Sequence, residues 1–177
     1  MALNSRMTRA IQACRQRIDD AFMQFHGDAQ AGSVLALREL SSLPGPDGHL
    51  PFADGAVDWV GCFELIEHIS SHERQVRLLR ELLRVASKGI FVSTANRWHP
   101  LDLENGGWPI LHLLHERPNL SLLDAAQIKS LIAVLPGKPD WQLGHVRLAG
   151  FKSHYFLMIR KPQKTQAKLV TDPGMPP

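Results

Sequence analysis

Two stretches decide the reading of this chain: Leu50-Pro-Phe-Ala-Asp-Gly-Ala-Val-Asp-Trp-Val-Gly-Cys-Phe63, and Lys88-Gly-Ile-Phe-Val-Ser-Thr-Ala-Asn96. The β-branched and aromatic content of Ala56 to Phe63 and of Ile90 to Ala95 suits strands buried on both faces. Between them, Val76, Leu79, Leu82, Leu83 and Ala86 form an apolar stripe at helical spacing, with Arg74, Arg77, Arg80, Glu81 and Arg84 mostly off it. Glu64 to His68 reads as one helical turn, Glu73 to Ala86 as a surface helix, and Lys88-Gly89 as its closing signal. Strand, crossover helix and strand make a βαβ unit with parallel strands, so the chain is of the α/β class.

Outward from this unit, Met7, Ile11, Cys14, Ile18, Phe22 and Phe25 recur at spacings of three and four and predict an amphipathic helix over Ser5 to His26. Gly27 to Gly32 ends it. Ser33 to Leu40 follows as a short buried strand or the start of a helix, and the Ser-, Pro- and Gly-dense Ser41 to Gly48 is a loop. Asn96 to Asn119 is a long connection with three prolines and two tryptophans. Ser121 to Leu135 predicts a helix capped by Ser121, and Gln142 to Leu148 with His154 to Lys161 predict a hairpin. One domain over 1–162 is expected, with a disordered polar tail over 163–177.

The chain has 177 residues, 44% hydrophobic and 21% charged, enough for one globular core. A net charge of +3 points to no polyanion partner, and no specific nucleic acid is expected. The arginines of the central helix read as a solvated face. No apolar run approaches the length of a membrane span, and Cys14 and Cys62 form no C-x-x-C, so a cytoplasmic protein is expected. His68 with His72, and His112 with His115, have ligand-like spacing but no third partner, and no metal site is expected.

Ligands of open α/β sheets bind outside the carboxyl ends of the strands. Those positions hold Cys62, Phe63, Glu64 and His68 after the first strand of the unit, and Asn96, Arg97, Trp98 and His99 after the second. The order Leu50-Pro-Phe-x-Asp-Gly-x-Val-Asp-Trp-Val, Cys62-x-Glu-x-Ile-Glu-His68, Leu-Leu-Arg-Val85 and Lys88-Gly-Ile-Phe-Val-Ser-Thr-x-Asn96 resembles the middle of a class I S-adenosylmethionine-dependent methyltransferase of type 11. The resemblance covers Leu50 to Pro100. It implies a three-layer, Rossmann-like sandwich whose mostly parallel sheet ends in an antiparallel hairpin, with S-adenosylmethionine as cofactor and a small-molecule or lipid- or sugar-type methyl acceptor. It also implies that Leu50 and Phe52 lie near the adenine and that Cys62, Phe63 and Glu64 line the cofactor pocket. His68 and His99 are the candidate bases, and Asn96, Arg97, Trp98 and Trp108 would meet the acceptor.

The family pattern also calls for a glycine-rich loop after the first strand and an acidic residue one strand later. Here Arg38-Glu-Leu-Ser-Ser follows Ser33 to Leu37, and two further strands with their helices do not fit between Glu39 and Phe52. The front of the sheet is therefore expected to be truncated. A second reading follows: an inactive remnant that binds or dimerises through its exposed sheet edge.

Overall fold

The computed structural model describes residues 2–27, 32–44, 48–102, 108–109 and 121–162. Its elements are α1 (Ala2–His26), β1 (Val34–Leu37), β2 (Val57–Phe63), α2 (His72–Val85), β3 (Ala86–Ala95), β4 (Leu101–Asp102), β5 (Trp108–Pro109), α3 (Ala125–Ala133), β6 (Asp140–Leu148) and β7 (Phe151–Arg160). Short 3-10 turns stand at Leu40–Ser42 and Ile66–His68. The main sheet runs β1-β2-β3-β7-β6. β1, β2 and β3 are parallel, whereas β7 runs antiparallel to both β3 and β6. The tail over 163–177 and most of the long connection lie outside the described residues.

Alternation along β2 and β3 builds three layers. Val60, Cys62, Ile90 and Val92 point to one face, where they pack with Val76, Leu79 and Leu82 of α2 and Ile128 and Leu131 of α3. Trp59, Phe63 and Phe91 point to the other, against Cys14, Ile18, Phe22 and Phe25 of α1. The α1 face is aromatic: Phe22 meets Phe63 edge-on at 5.3 Å and Phe91 stacks on Phe156 at 5.5 Å. Gly61 makes room for this contact, because a Cβ there would stand 2.5 Å from the Phe63 ring.

Three local expectations need correction. Lys88-Gly89 does not close the central helix: Val85 passes directly into β3 at Ala86, and Gly89 lies within the strand. Gly89 is small for packing, since a Cβ would lie 2.5 Å from the Ile159 carbonyl oxygen and 2.8 Å from the Trp59 ring. The later helix is capped by Asp124, not Ser121, and Asp124 and Gln127 exchange side-chain-to-backbone bonds in a capping box. The hairpin turn is the two-residue Ala149-Gly150, both at positive φ, which matches the strand twist. The open choice for Ser33 to Leu40 resolves to a strand, with Val34–Leu37 at the sheet edge.

β1 borders β2 alone, so no strand lies beyond it among the described residues. The truncated front expected from the sequence is thus the free edge of β1, and Arg38 and Leu40 stand at its carboxyl end.

Candidate functional site

The carboxyl ends of β1, β2 and β3 open into a cleft of about 400 Å³ between the sheet and α1. Phe63, Glu64 and His68 contribute from β2 and the turn after it, Ser93 from β3, Arg38 from the end of β1, and Arg15 and Asp19 from α1. Phe63, Glu64 and His68 are thus gathered where the strand-end rule placed them.

Glu64 is the centre of the charge arrangement. It takes a φ of 51°, a left-handed conformation that costs a non-glycine residue about 1–3 kcal/mol. Its N–H donates to the Ser93 carbonyl at 3.0 Å, so the chain turns while still tied to β3. The carboxylate accepts from Arg15 at 2.8 Å and lies 3.3 Å from His154 Nε2. Burial alone would raise the Glu64 carboxyl, but the His154 hydrogen bond and the charges of His154 and Arg15 outweigh it and hold the group below its ordinary value. Glu64 is therefore anionic at neutral pH.

A second pair lines the same cleft. Arg38 bonds Asp19 at 2.7 Å and lies over the Phe63 ring at 3.9 Å. The Arg15 and Arg38 side chains remain 56% and 52% exposed, so both guanidiniums keep donors open to solvent. The cleft thus presents two carboxylates and two guanidiniums from α1 and the strand ends.

The other sequence candidates fall elsewhere. Cys62 points to the opposite face from Phe63, is fully buried, and has a thiol that desolvation, then the charge of Glu67, pushes well above its ordinary value. It packs the core and does not line the cleft. Leu50 and Phe52 precede β2 and lie at its amino end, remote from the strand ends where the cleft opens. There the Leu50 N–H donates to Glu81 at 2.7 Å, and Arg84 donates to the Phe52 carbonyl at 2.8 Å. Their place beside the adenine is not supported, since a segment leading into a parallel strand reaches the wrong end of the sheet.

His99 is 1% exposed, packs edge-on against Phe151 and approaches the Leu148 carbonyl, so it does not face the cleft. Asn96 closes the end of β3, donating to the Lys152 carbonyl at 2.7 Å and accepting from the Trp98 N–H at 3.2 Å. Arg97 stands over the exposed Trp98 ring, whose Nε1–H donates to Asp124. Trp108 begins the short strand β5. This group surrounds the start of the long connection, apart from the cleft lining. Arg15, Asp19 and His154 were missed because only tertiary packing brings α1 and β7 to the strand ends. The helical phase of α1 held one signal: Arg15 and Asp19 are four apart and flank the apolar stripe.

The Methyltransferase domain family model matches residues 8–93. Among solved structures, a SAM-dependent methyltransferase of Thermotoga maritima, a possible histamine N-methyltransferase, is similar at 12% identity and a TM-score of 0.59, covering 89% of this chain and 94% of that one. A SAM-dependent methyltransferase of Aquifex aeolicus follows at 13% identity and TM-score 0.42, covering 67% of this chain and 53% of that one. Magnesium protoporphyrin IX methyltransferase of Synechocystis PCC 6803, with bound SAH, gives 15% identity, TM-score 0.41 and coverages of 70% and 49%. No curated protein matches by sequence. The Thermotoga likeness establishes the fold, which is the Rossmann-like class I methyltransferase type.

Proposed function

We propose, from a class I methyltransferase fold and a methyltransferase-domain match over residues 8–93, that the chain transfers a methyl group from S-adenosylmethionine to a small-molecule acceptor. The cleft at the carboxyl ends of β1, β2 and β3 carries this reading. The methionyl end of the cofactor is a zwitterion, and the cleft offers a carboxylate for the ammonium and a guanidinium for the carboxylate. Glu64 and Asp19 supply the first, and Arg15 and Arg38 the second; the exposed Arg38–Asp19 pair would exchange its partner for the ligand at small cost, and Arg15 would meet the ligand through the donors it keeps open while still bonded to the largely buried Glu64.

When bound, the cofactor supplies an electrophilic sulfonium methyl: the acceptor lone pair forms the new bond to carbon, the sulfur keeps the electrons of the broken bond, and an acceptor O–H or N–H releases its proton. The protein's part is mainly positioning. Phe63 gives the cleft an apolar wall, and His68, the imidazole among the described lining residues, would accept the released proton. Calorimetric titration with S-adenosylhomocysteine tests the reading: saturable binding weakened at least about tenfold in Glu64→Gln supports it, and no heat at millimolar ligand rejects it.

One observation favours a second reading, a binding or dimerising module. Arg38-Glu39-Leu40 follows β1 where a glycine-rich loop is expected, and β1 leaves a free edge with Val34 and Ala36 exposed. A second copy pairing along that edge would raise the mass in sedimentation equilibrium to that of a dimer.

A further inference from the structure

A second cleft of about 400 Å³ opens beside the first, between α2 and the segment after β1. His68 lines both clefts, so one residue is shared by their linings. The floor of the second is apolar, with Leu78 buried and Leu43 and Ile69 half-buried. Arg74 and Arg77 line it from α2, and among the described residues no carboxylate does. Glu73 pairs with Arg77 at 3.7 Å, but the Glu73 side chain is 82% exposed and the pair is a weak surface contact. The first cleft balances two charges of each sign, whereas the second joins an apolar floor to a cationic rim.

We propose that this second cleft binds a small organic anion with an apolar body. Its carboxylate, sulfate or phosphate would lie against Arg74 and Arg77, and its carbon skeleton on Leu43, Ile69 and Leu78. That this anion is the methyl acceptor rests on the methyltransferase reading and on the shared His68; the binding itself does not. The chemistry discriminates by charge: a cationic amine of the same shape could use the same apolar floor, but the arginines repel its head group where they attract the anion's.

Amide NMR of the full chain tests this with 2-naphthoate as the anion and 2-naphthylmethylamine as its cationic counterpart. Saturable shifts with naphthoate at Ile69, Ser70 and Leu78 are expected, weakened at least about tenfold in Arg74→Gln/Arg77→Gln, with no saturable response to the amine. Equal binding of the amine, equal naphthoate binding by the folded double variant, or no saturable naphthoate shifts in the wild-type chain would overturn the proposal. S-Adenosylhomocysteine titrated separately is read at Glu64 and Ser93, so failure of the cofactor reading is seen independently of the second cleft.

Discussion

Two charged knots sit at opposite ends of β2 and are built to different ends. At the amino end, Glu81 accepts from the buried Leu50 N–H and pairs with Arg84 at 2.6 Å, while Arg84 also reaches Asp54 at 2.6 Å and donates to the Leu50 and Phe52 carbonyls. Its polar groups are spent on the chain itself. At the carboxyl end, Glu64 holds a left-handed backbone conformation and pairs with an arginine that stays more than half exposed. A knot that closes on itself locks a loop, and one that leaves donors open at a cleft can take a ligand.

The amino-end knot should dominate stability. Glu81→Gln removes a charge-assisted network around a side chain only 6% exposed, with an expected loss of about 1.5–3 kcal/mol in urea denaturation. The Arg84 hydrogen bond, offset in part by burial, then the Leu50 N–H and the charges of Arg84 and His49, hold the Glu81 carboxyl down to about 2, against an ordinary value of 4.5. Its contribution is therefore complete above about pH 4.5 and lost as the pH falls toward 2. Part of the wild-type acid destabilisation in that window should be missing in Glu81→Gln, and identical pH profiles would break the contrast.

Glu64→Gln should reverse the emphasis, with a smaller stability change and a loss of S-adenosylhomocysteine affinity of at least about tenfold. Its depressed carboxyl adds stability above its ordinary value of 4.5 that is lost as the pH falls through the lower folded value. Arg38→Ala should cost no more than about 1 kcal/mol, because the Asp19 pair is exposed, yet should weaken ligand binding several-fold. Val34→Lys, on the free edge of β1, should leave stability within about 0.5 kcal/mol and abolish any dimer detected by sedimentation.

The same contrast explains what could be read in advance. β2, α2 and β3 were legible because burial on both faces and a single apolar stripe are local patterns. The edge position of β1 among the described residues agrees with the short chain between β1 and β2, which has no room for two more strands. Leu50 and Phe52 were placed at the wrong end of the sheet because a motif carries no direction until its strand is set in three dimensions. Cys62 and Phe63 are adjacent in sequence, but strand alternation sends one to the core and the other to the cleft. Arg15, Asp19 and His154 come from α1 and β7, and their convergence on Glu64 and Arg38 is a property of packing that no spacing encodes.

The central claim is that the carboxyl-end knot, without a glycine-rich loop, still receives the cofactor. Calorimetric titration of S-adenosylhomocysteine into the wild-type chain and the Glu64→Gln and Glu81→Gln variants tests it most directly. The account predicts saturable binding to wild type, retained by folded Glu81→Gln and weakened at least about tenfold in Glu64→Gln. No detectable heat with wild type, or equal affinity in Glu64→Gln, would contradict it.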